Sequence, residues 1–220
     1  EACSYFSIGR DKMYEMARSV TKDLDGDGKA EMVCKTAPGS KDGKGDYVTL
    51  AATDATIKAA DNEADYRNKG GHILTGPEYL TVFNGKDGHA VHTIYYNPNR
   101  AFTVGGAPEY AEGWGDFYGN RSERYLACVA FLGGKTQNPS VVMCRGYYTR
   151  SYLWAVDFDG KTLNPRWLHA STSRSEWNVT DGAGNVVASA KDLPATAYGQ
   201  GAHSIAVGDV DGDGCDEITY

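Results

Sequence analysis

Two stretches of this chain share one plan, and that plan restricts the fold more than any other feature. Asp23-Leu24-Asp25-Gly26-Asp27-Gly28-Lys29-Ala30-Glu31 and Asp209-Val210-Asp211-Gly212-Asp213-Gly214-Cys215-Asp216-Glu217 set carboxylates at alternate positions, with glycines where the chain must bend. A hard cation such as calcium takes six to eight oxygens, and loop positions 1, 3 and 5 converge on one point while a glycine at 6 makes the turn. On that pattern Asp23, Asp25, Asp27 and Glu31 form one ligand set, with the carbonyl of Lys29. Asp209, Asp211, Asp213 and Glu217 form the other, with the carbonyl of Cys215. The pattern then departs from the EF-hand, because position 12 holds Cys34 or Tyr220 in place of glutamate. The segments that follow, Met32-Val33-Cys34 and Ile218-Thr219-Tyr220, are short and apolar and read as strands. The expectation is of Ca2+ loops punctuating β-sheet, against the plainer reading of solvated Asp-Gly turns.

Composition fits a folded, acidic chain. The 220 residues carry a formal net charge of −7, much of it in these two loops, so cations offset it more readily than a basic partner would. That balance argues against a nucleic-acid binder, and no apolar run is long enough to span a bilayer. The chain opens without methionine and stops inside an expected strand, which reads as a piece cut from a longer protein. Five cysteines show no metal spacing, and an odd number fits no complete disulfide framework.

The remaining signals are those of strands. Tyr79-Leu80-Thr81-Val82-Phe83-Asn84-Gly85 followed by Ala90-Val91-His92-Thr93 predicts a hairpin, and Leu153–Trp167 predicts a second. Tyr125–Gly134 and Ser140–Cys144 repeat the strand–turn–strand plan of the Asp-Gly units without the acids. Loop units and hairpins alternate, so each pair predicts a four-stranded antiparallel sheet of the length of one β-propeller blade. The fold expected is therefore all-β, part of a propeller with about two to three blades present. Their expected bounds are about 13–95, 121–168 and an incomplete 203–220, and the remaining blades of the same polypeptide are expected outside this sequence. Between residues 37 and 71 lies a long polar excursion, where function tends to sit.

Several stretches together resemble the bacterial rhamnogalacturonan lyases of polysaccharide lyase family 11. These are the first Asp-Gly loop with Lys35-Thr36-Ala37, Leu74-Thr75-Gly76-Pro77-Glu78, Trp114-Gly115-Asp116, Tyr118-Gly119-Asn120-Arg121, Cys144-Arg145-Gly146-Tyr147-Tyr148-Thr149-Arg150, and Gly199-Gln200-Gly201-Ala202-His203. The resemblance implies an eight-bladed propeller carrying several Ca2+ ions. It implies β-elimination at the rhamnose–galacturonate bond of pectic rhamnogalacturonan I, leaving unsaturated galacturonate ends, in a secreted, periplasmic or cell-surface protein. It also carries His203 over as a central metal ligand or proton-transfer group. Arg145, Tyr148 and Arg150 are further candidates for the cleft, and Lys35, Arg67 and Asn68 for substrate binding. Alone, each charged residue would more often be a solvated strand end. The competing class is a non-catalytic, calcium-stabilised propeller module that binds glycan or protein. The Gly-Gln-Gly-Ala-His and Gly-Tyr-Tyr-Thr-Arg stretches favour the enzyme, since a structural calcium turn needs neither.

Overall fold

The computed structural model describes residues 19–100, 102–104, 107–109, 114, 118–148, 151–171, 178–181, 186–189 and 204–220. Within them the regular structure is antiparallel β-strand, apart from a 3₁₀ turn at Val48–Ala51 and one short helix, α1 (Ala55–Lys58). The strands are β1 (Ser19–Lys22), β2 (Glu31–Thr36), β3 (Tyr79–Asn84), β4 (Ala90–Tyr95), β5 (Phe102–Val104), β6 (Ala107–Glu109) and β7 (Tyr125–Ala130). They continue as β8 (Ser140–Arg145), β9 (Ser151–Phe158), β10 (Leu163–Ser171), β11 (Asn178–Asp181), β12 (Val186–Ser189), β13 (Ala206–Gly208) and β14 (Glu217–Thr219).

The propeller expectation is corrected here. Strands β1 to β4 do form a four-stranded meander. Strands β7 to β12, however, make one six-stranded sheet in the order β12-β11-β10-β9-β8-β7, while β13–β14 and β5–β6 are separate two-stranded ribbons. None of these sheets closes on itself, and among the described residues the strands do not fall into the equal four-stranded units that blades require. The extension comes from β11 adding to β10 in register, with Trp167 opposite Asp181 and Ala170 opposite Asn178. Local repetition of strand and turn cannot show where such an addition stops.

What holds the sheets together follows from side-chain alternation, since successive residues of a strand face opposite sides. Val33, Leu80 and Val82 of the first sheet meet Val141, Met143, Trp154, Val156 and Phe158 of the second in one buried cluster. The intervening residues Val142, Cys144, Leu153 and Ala155 point the other way. They pack with Ile205, Val207, Ile218 and Tyr220, around the β13–β14 ribbon. Both faces of β8 and β9 are thus covered, which is why they read as near-continuous apolar runs. The far face of the first sheet is closed by the excursion, where Ala52 and Ile57 cover Tyr79. A ladder of hydroxyls crosses that face: Thr81 Oγ1 lies 2.7 Å from Thr36 Oγ1 and 3.0 Å from Thr93 Oγ1, and the latter donates to Val48 O.

The register sorts most of the described connections to one of two ends. Residues 23–31, the 84–90 turn, 131–139, 158–163 and 209–217 lie together at one end, and residues 95–100, 118–125 and 145–148 lie at the other. Six-residue strands separate the two ends by roughly 17 Å. The excursion runs along the face of the first sheet and reaches the 84–90 turn, where Gly43 N donates to Gly88 O at 2.8 Å and Asp42 Oδ2 accepts from Ala90 N at 2.9 Å. At the loop end the turns touch: a Cβ on Gly26 would meet Asn138 Oδ1 at 3.4 Å, and one on Gly160 would meet Asp25 Oδ2 at 3.2 Å. His92 bridges the two sheets near this end, its Nδ1 accepting the Leu163 N–H at 3.0 Å. Burial pushes the His92 pKa down, in keeping with a neutral acceptor. Among the described glycines Gly85 makes the closest approach, since a Cβ there would lie 1.7 Å from the Ala30 carbonyl oxygen. Because that neighbour is backbone, Gly85→Ala should cost about 1–3 kcal/mol, measurable as a lowered midpoint in urea unfolding.

Candidate functional site

At the loop end the two Asp-Gly stretches fold almost identically. Asp23 accepts the N–H of Gly26 at 2.8 Å on Oδ1 and that of Gly28 at 3.0 Å on Oδ2. Asp209 does the same with Gly212 and Gly214, at 2.8 and 3.0 Å. Asp25 Oδ1 accepts from Asp27 N and Asp211 Oδ1 from Asp213 N, both at 3.1 Å. Asp27 Oδ1 takes Lys29 N and Asp213 Oδ1 takes Cys215 N. Each loop closes on its acid at position 9, where Glu31 accepts from Leu24 N and Glu217 from Val210 N. The bends are possible because Gly26, Gly28, Gly212 and Gly214 all have positive φ, between 80° and 92°.

These hydrogen bonds gather three carboxylates in each loop. One oxygen from each of Asp23, Asp25 and Asp27 lies within 4.8 Å of the others, and Asp209, Asp211 and Asp213 are arranged alike. An ionised carboxylate has lone pairs beyond those used by one or two amides, so the donor set fits a hard oxygen-seeking cation. The loops differ in one respect that matters electrostatically. Lys29 Nζ lies 3.0 Å from Asp27 Oδ2 and supplies a cation from within the first loop, lowering the Asp27 pKa. The second loop has Cys215 at that position. Burial and the neighbouring acids, Asp213 first among them, push that thiol's pKa up. Asp216 turns outward from the cluster to the acid-free turn, where its Oδ2 accepts the Phe131 N–H at 2.7 Å.

The opposite end is built around a buried carboxylate. Glu78, only 1% exposed, sits just before β3 and meets three cations. Arg145 Nη1 lies 2.7 Å from its Oε2, and Lys35 Nζ and Arg100 Nη2 lie 2.8 and 2.9 Å from its Oε1. Arg100 also donates its backbone N–H to Oε2 at 2.7 Å. Glu123, nearer the surface, accepts from Arg100 Nη2 at 2.5 Å and lies 3.5 Å from Lys35 Nζ. Arg145 spends its other donors on the carbonyls of Ser122 and Pro98, at 2.8 and 2.7 Å. Its guanidinium lies 4.9 Å from the Trp114 ring and 5.1 Å from that of Tyr125. Burial works against every charge here. For Glu78, Arg145 and then Lys35 and Arg100 outweigh it and hold the carboxyl far below its usual range. For Lys35, burial wins over Glu78 and Glu123, and its pKa is lowered.

The sequence-derived candidates fall out as follows. Lys35 and Arg145 come together, but in the interior and committed to Glu78. Arg67 is exposed and forms a two-point pair with Asp65, and Asn68 Oδ1 caps a turn by accepting from Gly70 N and His72 N. Tyr148 is 48% exposed and has φ of 64°, a left-handed conformation in which bulky residues are outliers. Arg150 and His203 lie outside the described residues, so the site expected around His203 is not placed. Glu78, Arg100 and Glu123 were missed by the sequence reading. Their contacts with one another and with Lys35 and Arg145 span 22 to 88 positions, and no local spacing encodes them.

A compact antiparallel β module, with twin carboxylate loops at one end and a buried ion network at the other, is the class that this geometry defines. Comparison with known proteins gives the family: the description "rhamnogalacturonan lyase family 11, C-terminal domain" matches residues 14–220, and the chain belongs to that family. It is 45% identical over 199 residues to a rhamnogalacturonan exolyase, YesX, and 41% identical to a rhamnogalacturonan endolyase, YesW, both of Bacillus subtilis (strain 168). Each alignment covers 90% of this chain and 26% of the relative, so the chain spans about a quarter of the length of these curated relatives. Among solved structures, the exotype lyase YesX and the Bacillus licheniformis rhamnogalacturonan lyase superpose with a TM-score of 0.69 at 44% identity. Both cover 92% of this chain, and 27% and 28% of theirs.

Breaking the network from its centre leaves buried cations without their anion, so Glu78→Gln should cost about 3–5 kcal/mol. The pH dependence has a definite sign. A carboxylate held below its unfolded value contributes stability that is complete above about pH 4.3 and drains as pH falls beneath it. The wild type should therefore lose stability on acidification more steeply than Glu78→Gln, as followed by urea unfolding across that range.

Proposed function

We propose that this chain is part of a rhamnogalacturonan lyase that cuts the rhamnose–galacturonate bond of the pectic backbone by β-elimination, assisted by calcium. The observation that carries the reading is the family match over residues 14–220, supported by 45% and 41% identity to an exolyase and an endolyase of that polymer. Its substrate is an acidic polysaccharide, and its working location is secreted, periplasmic or at the cell surface.

Elimination from a uronate requires that the C6 carboxylate be neutralised, that a base remove the C5 proton, and that an acid assist the leaving oxygen. Calcium, when bound at the uronate, supplies the first of these as a Lewis acid. His203 is the residue of this chain assigned to hold metal or move a proton there, on the strength of its Gly-Gln-Gly-Ala-His setting. Lys35 and Arg145 act from behind: tied to Glu78, they fix the ends of β2 and β8 and with them the segments facing outward at that end.

In the Asp-Gly loops, Asp23, Asp25, Asp27 and Glu31, and Asp209, Asp211, Asp213 and Glu217, are assigned as structural Ca2+ ligands, with the carbonyls of Lys29 and Cys215. Relief of carboxylate repulsion is the contribution of the cation at these loops. Since Lys29 already relieves part of it in the first loop, the second loop should depend on calcium more. Calorimetric titration after chelation should show binding that Asp211→Asn weakens. Saturating calcium should stabilise the wild type by about 2.7 kcal/mol at a hundredfold excess over Kd. Absence of any calcium-dependent shift would remove these loops as metal sites.

The activity itself is read as new ultraviolet absorbance from unsaturated uronide when the intact protein meets rhamnogalacturonan, abolished by a chelator. The 220-residue chain alone should give none. Saturated products would exclude elimination.

A further inference from the structure

Apart from the loops and the buried network, a titratable side chain sits on the seam between the two sheets. His92 of β4 is 5% exposed, and both of its ring nitrogens face a partner. Nδ1 accepts the N–H of Leu163, the first residue of β10 in the second sheet, at 3.0 Å. Nε2 lies 3.4 Å from Thr53 Oγ1, in the excursion that covers the first sheet. An acceptor at Nδ1 leaves the single ring proton of a neutral imidazole on Nε2, so these contacts select one tautomer. The turn that leads into Leu163 is also a wall of the first Asp-Gly loop, since a Cβ on Gly160 would meet Asp25 Oδ2 at 3.2 Å.

This arrangement works in one charge state only. A protonated imidazole donates from both nitrogens, so its Nδ1–H would face the Leu163 N–H and that buried amide would lose its acceptor. The surroundings offer little to hold the charged ring in place. On β3 the residue opposite His92 is Val82, and Asp54, beside Thr53, turns away to cap α1 through Thr56 N and Ile57 N. Among the described residues, the charged group whose field reaches the ring is Asp159, just after β9. Its carboxylate is already taken by Lys161 N, Thr162 N, Thr162 Oγ1 and Asn164 Nδ2, at 2.7 to 3.1 Å. Burial outweighs the attraction of Asp159 and lowers the His92 pKa. An unfolded chain takes up this proton near pH 6.5 and the closed interface only below that, so falling pH favours states in which His92 is released.

We propose that His92 is a pH-responsive latch between the two sheets, closed while its ring is neutral and opened by protonation in mild acid. Opening frees the Leu163 amide, loosens the β9–β10 turn and with it the wall of the first Asp-Gly loop. The latch acts well above the range in which Glu78 titrates, and at the other end of the strands, so the two acid responses separate by pH and by place.

The test is amide hydrogen exchange mapped by mass spectrometry on the intact protein, from about pH 7.5 to about pH 5, corrected for the intrinsic pH dependence of exchange. In the wild type, protection of residues 158–163 should fall about tenfold across that range, while β8, in the middle of the second sheet, keeps its protection. His92→Asn places an amide oxygen where Nδ1 stands and cannot titrate, so its protection at 158–163 should be the same at both ends of the range. Wild-type protection that does not change with pH overturns the latch. So does a fall shared equally by β8, which would mark loosening of the whole module. A fall that persists undiminished in His92→Asn assigns the response to another group, Glu31 with its burial-raised pKa being the nearest candidate at that end, and overturns the latch as well. Circular dichroism melting within a few degrees of wild type checks that the variant folds, and the wild-type map stands as a test without it.

Discussion

A single carboxylate surrounded by three cations sets the terms for one end of this molecule. Glu78 joins Lys35 of β2, Arg145 of β8 and Arg100 of the segment after β4, and so ties together two sheets and a connection. An ion in such a place is expensive to desolvate, and a buried pair is a weak source of stability against an apolar alternative. Its value lies in geometry. Apolar packing between two sheets is tolerant of small slides, whereas the forked contact of Arg145 with Glu78 and its bonds to Ser122 and Pro98 accept one arrangement. The segments 118–124 and 146–148 hang from that arrangement.

β2, which carries Lys35 into this network, begins at the first Asp-Gly loop, and the two ends obey different physics. One end is dry, with charge neutralised by side chains from remote parts of the sequence. The other is wet, with carboxylates from alternate residues of one short loop held in place by that loop's own amides and, in the first loop, by Lys29. The physical reason the two ends do not interfere is the length of strand between them.

Much of this could be read from residues alone, and the exceptions have reasons. The Asp-Gly loops were legible because every ligand and every bend lies within nine consecutive residues. The hairpins β3–β4 and β9–β10 were legible because turn residues interrupt apolar runs. Sheet membership was not. Asn178–Asp181 gives no sign that it adds to β10, and the acid-free turn at 131–139 looks like an independent unit although Asp216 completes its hydrogen bonding from a distant part of the chain. Lys35 and Arg145 were picked out as unusual, and they are, but spacing could not tell an outward role from an inward one. Exposure is decided by Glu78, Trp114 and Tyr125, none of which lies nearby in sequence to both.

The contact between Asp216 and Phe131 has an implication for how such a chain can change over time. A turn that borrows its carboxylate from a neighbour is released from carrying one, and the 131–139 segment holds no acid at all. The lender is correspondingly constrained, because Asp216 now answers to two turns at once. Drift at the loop end should therefore be uneven, with freedom in one turn purchased by rigidity in the next, while the far end of the strands follows a separate course.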